Sequence, residues 1–397
     1  MSQERKPNQT MESDRRDRAK NAILGALVAD AAALGLHWIY DQDRVREVAG
    51  NTPEFREPDA RAYEGVPSFF AHGKKRAGDL SQYGEQALVL LRSLIDNDGE
   101  LDAVHYERRF RDHFGPGGEY VGYIDSVIRD TLYNANHAEH EAIDAANALP
   151  FDGDEALKHR LVTKVMSNVS SYQGEELRRG VEGSVRMTHD DDAVVAHAFK
   201  ILEEIQSRAG YHGAEDVQMP AISKLPALVA RYAGTDELAD KTEAAVRVTN
   251  NDDTAVAFGL AAARMMEAAI TGEDLQAVVQ AGLATDDDRV RGLIDKAISL
   301  DGQDHTPVAK IFGLSCNLEF GLPIVAHNLL EAGSFAEAVR RNILAGGDSC
   351  GRGILLGAVL GAAYGVGGER GIPDDWLRKL RGRDDIVGLI EALPPGS

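Results

Sequence analysis

Three polar sites interrupt apolar stretches of this chain, and each carries residue types suited to acid–base or metal chemistry. The first is Asp30, set in Ala22-Ile23-Leu24-Gly25-Ala26-Leu27-Val28-Ala29-Asp30-Ala31-Ala32-Ala33-Leu34-Gly35-Leu36. A carboxylate in such a helix is costly to bury unless it is paired, hydrogen-bonded or bound to a ligand. His37 follows seven residues later, two turns along the same face if the helix continues. The second site is Gly78-Asp79-Leu80-Ser81-Gln82-Tyr83-Gly84-Glu85-Gln86, which opens the helix continuing Ala87-Leu88-Val89-Leu90-Leu91. The third is Gly346-Gly347-Asp348-Ser349-Cys350-Gly351-Arg352-Gly353, ahead of the apolar run Ile354 to Ala363. A glycine pair permits a tight turn and close approach to a ligand. Asp348 then stands at the positive end of a core helix. There it holds a metal ion, a sugar hydroxyl or a water, or it simply caps the helix. Arg352, just inside that helix, is placed to pair with a phosphate or a carboxylate.

Helices must position these groups. Arg18 to Leu36, Gln82 to Ile95, Val104 to Phe114, Ala193 to Ile205, Ala255 to Ile270, Phe335 to Leu344 and Ile354 to Tyr364 all carry apolar residues at helical spacing. Alternating strand patterns are nearly absent, and alanine-rich faces favour helix and close packing. The expected fold is all-α, a single compact many-helix domain over residues 18–397 behind a disordered lead at 1–17. One internal echo stands out. Val185-Arg186-Met187-Thr188-His189-Asp190-Asp191-Asp192 resembles Val246-Arg247-Val248-Thr249-Asn250-Asn251-Asp252-Asp253, and each copy precedes an alanine-rich helix. Both read as helix N-termini; alternatively Thr188, His189, Asn250 and Asn251 line one cavity.

Composition narrows the function classes. The 397 residues carry a formal net charge of −21, which repels nucleic-acid backbones and anionic membranes. Lys74-Lys75-Arg76 and Arg178-Arg179 are too short to override it. No uninterrupted run of roughly 18 apolar residues marks a membrane span, and the polar start, Met1 to Lys20, has no apolar signal core. A cytoplasmic location is expected, with neither nucleic acid nor membrane as partner. Two cysteines, Cys316 and Cys350, make neither a disulfide framework nor a cysteine-only zinc site.

From about Asn21 to Gly365 the chain resembles the ADP-ribosylglycohydrolase family, and within it the J-type crystallin-like branch. Gly25-Ala26-Leu27 and Ala29-Asp30-Ala31 match the family's opening helix, and Gly346 to Ala363 matches in outline its closing Gly-Gly-Asp-Thr-Asp-Thr and Ala/Gly-rich helix. Leu36-His37-Trp38-Ile39-Tyr40-Asp41 and Gly347-Asp348-Ser349-Cys350 look like the crystallin-like branch, and Thr188-His189 resembles a recurrent family pair. The resemblance implies an all-α hydrolase that binds two magnesium ions and cleaves the glycosidic bond of ADP-ribose conjugates. Such ions clamp the ribose diol and activate water, and an acidic group assists departure from an oxocarbenium-like centre.

The motifs depart from that pattern at defined places. The family's Thr-Asp-Asp-Thr falls on Ser81, Gln82, Tyr83 and Gly84, so both carboxylates are absent. In the closing motif Asp348 stays, but Cys350 and Gly351 replace an aspartate and a threonine, and His37 stands where some members place an acid. Magnesium needs several oxygen donors in near-octahedral array. Loss of three carboxylates is expected to abolish the paired site or weaken it severely, leaving Asp348 as the one clean metal ligand. Asp348, Cys350 and His37 would instead suit a softer ion such as zinc, or Cys350 beside a histidine would serve as a nucleophile.

The expected catalytic set is Asp348, Asp30 and His37. The expected ligand-lining set is Gly346, Gly347, Ser81, Gln82, Tyr83, Cys350, Arg352, Thr188 and His189. The expected function is hydrolysis of an ADP-ribosyl or related N- or O-glycosidic bond at a magnesium-poor site, on a small-molecule or ADP-ribosylated substrate. The alternative is a non-catalytic ligand-binding or crystallin-like structural protein on the same scaffold. Oligomeric state is left open, and His72 is read as structural or at the surface.

Overall fold

A computed structural model of the chain describes residues 7–172, 174–208 and 210–396. Helix dominates, as the patterning predicts; among the described residues there is no strand, only isolated bridges such as Ile39 with Ser68 and Ala214 with Asn250. The helices fall into two compact units within this all-α fold, one of residues 1–129 and 214–397, the other Asp130–Gly213.

At the centre of the larger unit the helices Pro7–Ala33 and Ser349–Tyr364 pack directly on each other. Glycine makes this possible. A Cβ on Gly25 would sit 2.2 Å from the Gly357 carbonyl oxygen, and one on Gly361 would sit 2.1 Å from that of Asn21. The backbones therefore meet with no side chain between them. Gly353, Gly357 and Gly361 recur every fourth residue on one face of the second helix. Glycine disfavours helix intrinsically, but nearly every residue from Ser349 to Ala362 is buried, so packing outweighs that cost.

Helix Gln82–Asp96 enters this core at its N-terminus, with Ser81 as its cap. Residues 7–17, expected as a disordered lead, instead extend the first helix. Arg15 lies beside Gly234 and Gly396, and Arg18 beside Gly272, which gives this charged segment a surface to dock on. Residues 1–6 of that lead lie outside the described residues.

Two helical segments, Glu12–Leu36 and Asp253–Thr271, are long and apolar enough to cross a membrane by length and composition. Of their apolar windows, 83% and 67% are buried inside the protein, so both serve here as core helices.

The smaller unit holds most of helix Ser126–Ala148 with Glu155–Ser171, Gly174–Arg186 and Asp192–Ser207. They close on a core of their own that includes Ala142, Ala146, Leu161, Val165, Val181, Val185, Ala198 and Ile201. The sequence echo has a structural explanation. Asp191 caps one helix through the amide of Ala193, and Asp252 caps the other through the amides of Thr254 and Ala255.

Candidate functional site

Asp30 is fully buried, and its carboxylate is saturated. One oxygen accepts from the Ser81 amide at 2.8 Å and the other from the Ser81 hydroxyl. Ser81 in turn accepts from the Tyr83 amide at 3.1 Å, so the carboxylate fixes the cap of the next helix. Gly84 is required beside it, because a Cβ there would lie 2.4 Å from Asp30 Oδ2. Burial pushes the Asp30 carboxyl up to about 7, against the lowering effect of its Ser81 bonds.

Asp348 faces the same core from the other helix. Gly346 and Gly347 both take positive φ, 76° and 67°, and a Cβ on Gly347 would lie 2.0 Å from the Leu314 carbonyl oxygen. That turn is pinned by the Gly347 amide to Ile39 O at 2.7 Å, the Trp38 amide to Gly347 O at 2.8 Å, and the Asp348 amide to Leu314 O at 2.9 Å. Asp348 is the helix cap: Oδ1 accepts from the Gly351 amide at 3.1 Å. Gly351 stands where the family pattern has threonine, and its lack of a side chain lets the carboxylate fold over it. A Cβ there would lie 2.4 Å from Asp348 Oδ2. Oδ2 itself is buried without a hydrogen-bond partner. Burial raises the Asp348 carboxyl to about 6, while Arg352, the Gly351 amide and the Tyr83 hydroxyl pull it back down.

His37 reaches this site by a different route from the one its spacing predicts. The α-helix stops at Ala33, a 3-10 turn covers Leu34–Leu36, and His37 itself is extended, so it does not share a helical face with Asp30. Gly35 packs too tightly on Arg56 for a side chain, and Trp38 is forced to a φ of 67°, which redirects the chain. His37 Nδ1 accepts from the Cys350 amide at 3.1 Å, which leaves the proton of the neutral ring on Nε2, 3.6 Å from Asp348 Oδ1. Burial, with His72 and Arg352 nearby, holds His37 well below the ordinary imidazole range, so it is neutral.

Several expected ligand-lining residues are engaged internally instead. The Cys350 thiol faces the Asp30 carbonyl at 3.5 Å, and burial with the carboxyls of Asp30 and Asp348 nearby pushes it well up. Arg352 is fully buried: Nε donates to Asn342 Oδ1 at 2.9 Å, Nη2 donates to the carbonyls of Asn342 and Gly346, and Nη1 is left without a partner. Its role is to hold the glycine turn. Thr188 and His189 belong to the smaller unit, where Thr188 Oγ1 accepts from Lys164 and bonds the His189 ring at 2.9 Å. Asn250 lies in the larger unit, with Nδ2 on Asp216 O at 3.1 Å and Oδ1 accepting from Thr249 and Lys224.

Ser81 stays with Asp30, whereas Tyr83 comes up to Asp348 and Gln82 to Asp125, a residue the sequence does not announce. The Tyr83 ring stands edge-on to His37, with centroids 5.9 Å apart. His72, far from a surface residue, is buried between His37 and Trp38 at 5.2 and 6.0 Å, and burial takes it down to about 3. Asp125 caps the Ile128 amide through Oδ1 at 2.9 Å and leaves Oδ2 buried without a partner. Burial, Asp216 and Asp348 push it up to about 7, while Gln82 beside it acts the other way. Gln82 and Gln86 are fully buried, yet neither amide closes a hydrogen bond among the described residues, and both His72 nitrogens share that condition. Buried polar atoms normally find partners. Water or a polar ligand would supply partners to such a concentration of buried polar atoms.

The donors do not converge on a metal. Asp30 is saturated by Ser81, His37 Nδ1 is taken by the Cys350 amide, and the Cys350 thiol points at Asp30 O. Among the described residues no group of three or more His, Cys, Asp or Glu side chains is arranged to hold a metal ion.

Comparison with known proteins identifies the family and the fold. The sequence pattern of the family described as ADP-ribosylglycohydrolase matches residues 11–396. Crystallin J1A of Tripedalia cystophora is 27% identical over 387 residues, covering 96% of this chain and 98% of that protein. Crystallin J1B of the same animal is 26% identical, covering 93% and 94%. Among solved structures, one described as an ADP-ribosylglycohydrolase-related protein complex superposes with a TM-score of 0.56 at 18% identity, over 96% of this chain and 98% of the other.

Proposed function

The chain belongs to the ADP-ribosylglycohydrolase family, and on that premise we propose that it hydrolyses an ADP-ribosyl or related N- or O-glycosidic bond without a magnesium pair. The observation that carries this reading is the set of buried, unpartnered polar atoms around Asp348: Asp348 Oδ2, Asp125 Oδ2, His37 Nε2 and the amide of Gln82. A pocket abandoned by function and filled for stability would carry apolar side chains there, because unpartnered buried polar groups are destabilising.

Magnesium fits this donor set poorly. Of the positions in the family's two metal motifs, only Asp348 offers a carboxylate oxygen free of protein partners. Water activation therefore falls to the carboxyl groups, with Asp348 as the ionised base and the neutral His37 N–H directed toward it. The acidic surface, with its net charge of −21, supports a small-molecule or ADP-ribosylated substrate in the cytoplasm over nucleic acid or membrane.

A second reading has its own support. The crystallins match this chain along nearly their whole length, and Asp30, Cys350 and Arg352 are engaged in internal bonds. A non-catalytic, crystallin-like scaffold would have those properties as well.

Thermal unfolding with ADP-ribose, with and without magnesium, separates the readings. We expect stabilisation by ADP-ribose alone, about 2.7 kcal/mol at a hundredfold excess over Kd, and no further gain from magnesium. Stabilisation only with magnesium would restore the ordinary family mechanism. No stabilisation in either condition would favour the scaffold.

A further inference from the structure

A cavity of about 660 Å³ opens beside the turn Leu34–Leu36, and neither Asp348, Asp125 nor Gln82 lines it. Three arginines, Arg44, Arg56 and Arg61, share its wall with three carboxylates, Glu54, Glu57 and Asp59. The carboxylates are committed. Glu54 is buried and gives both oxygens to Arg340, at 2.6 and 3.0 Å. Asp59 holds the Arg61 guanidinium at 2.7 to 3.1 Å, and Glu57 accepts from the Ala77 amide at 3.1 Å.

Arg44 and Arg56 have no partner of that quality. Arg44 Nε lies 3.5 Å from Glu47 Oε2, on a side chain that is 71% exposed, and Arg44 Nη2 donates to Glu64 O at 3.5 Å. Exposed contacts of that length contribute little. Arg56 makes no ion pair among the described residues; its Nη1 donates to Ala49 O at 3.3 Å and to Thr52 O at 3.4 Å. The backbone nevertheless fixes its place. The Phe55 amide donates to Ala32 O at 2.9 Å, at the end of the core helix, and a Cβ on Gly35 would lie 2.2 Å from Arg56 O.

We propose that this cavity binds an organic phosphate monoester, with its phosphoryl group on Arg44 and Arg56 and its body along Leu36, Val48 and Ala62. Guanidinium forks match phosphoryl oxygens, and a dianion balances two cations where a single carboxylate would not. The volume exceeds what a bare phosphate fills and suits a small-molecule site. On a chain with a net charge of −21, two arginines without a firm carboxylate partner in one cavity give an anion a local place to bind. This site stands apart from the hydrolase reading and does not depend on it.

Isothermal titration with phenyl phosphate, at fixed ionic strength, tests the site. Saturable binding is expected, weakened at least about tenfold in Arg44→Gln and in Arg56→Lys. Lysine at 56 keeps a charge and a donor for the Ala49 and Thr52 carbonyls but loses the fork, so thermal unfolding without ligand should match the wild type. Glu47→Gln, at an exposed position, frees Arg44 and should tighten binding about twofold; failure to tighten would overturn the part given to Arg44. Gln82→Met, beside Asp125, is expected to bind phenyl phosphate as the wild type does. Absence of saturable binding, binding that both arginine variants leave unchanged, or a loss in Gln82→Met would overturn the site. Benzoate binding as tightly as phenyl phosphate would overturn the phosphate assignment, and inorganic phosphate binding as tightly would overturn the role of the organic body.

Discussion

Asp30 and Asp348 lie on two helices in direct contact, both fully buried, and they meet opposite fates. Asp30 has both oxygens bonded to Ser81 and is closed over by Gly84. Asp348 has one oxygen on a helix amide and the other facing a pocket with no partner. The difference teaches how to read a buried acid. A saturated carboxylate joins secondary structure together, whereas one with an open lone pair is available to a ligand. By that criterion Asp30, expected as catalytic, is bonded as a junction between two helices, while Asp125 and Asp348 each keep one buried oxygen without a partner.

The largest test of the contrast is Asp30→Ala. It leaves the Ser81 amide and hydroxyl buried without their acceptor, at roughly 1–3 kcal/mol for each unsatisfied group. Urea denaturation should therefore show a loss of about 2–5 kcal/mol. A loss below about 1 kcal/mol would mean that Asp30 is not the junction described, and the comparison would collapse.

Asp348→Ala should cost less, about 1 kcal/mol for a lost helix cap, and its cost should depend on pH. Burial raises the folded Asp348 carboxyl from 3.8 to about 6. The folded state thus binds the proton more tightly than the unfolded chain. The corresponding stability is fully present below the unfolded value and is lost as pH rises through about 6. The deficit of Asp348→Ala against wild type should accordingly be larger at pH 5 than at pH 8. A deficit that grows with pH would show that Asp348 is held as a paired anion, as in a metal site, and would reverse the assignment.

The sequence makes the framework legible and the wiring less so. Apolar spacing locates helix Gln82–Asp96 almost to the residue, and the glycine-rich run before Ile354 marks the pinned turn. Asp30, Ser81 and Asp348 are all recognisable as buried polar positions. Their partners are not, because spacing along a chain carries no information on which way a carboxylate turns once two helices meet. Ser81, expected to line a ligand, is a cap tied to Asp30. Arg352 looks like a phosphate partner, yet two of its three guanidinium nitrogens are bonded to Asn342 and Gly346 and only Nη1 is left over. Asp125 escapes notice because Asp125-Ser126 before an apolar helix is an ordinary capping pattern, and it does cap Ile128. Only the second oxygen, with no partner, distinguishes it. His37 misleads through helical arithmetic: the α-helix ends at Ala33, and the glycine between Asp30 and His37, Gly35, sits in an alanine and leucine run that otherwise favours helix.

The smallest effect gives the finest test of the contrast, and it concerns Gln82. If the pocket around Asp348 is kept polar for a ligand, its lining is not optimised for stability. Gln82 is fully buried with both amide atoms unpartnered. Replacing an unsatisfied polar side chain by an apolar one of similar length removes a desolvation penalty and leaves little behind. Gln82→Met should therefore leave stability unchanged or raise it by up to about 1 kcal/mol, while stabilisation by ADP-ribose weakens. The same logic applied to Ser81 predicts the opposite sign, since Ser81→Ala removes the hydroxyl bonds to Asp30 and to the Tyr83 amide. If Gln82→Met instead destabilises the protein by more than about 1 kcal/mol, the amide is serving the fold. Gln82 would then belong with Asp30 and Ser81 on the structural side, and the pocket would shrink to Asp125, Asp348 and Tyr83.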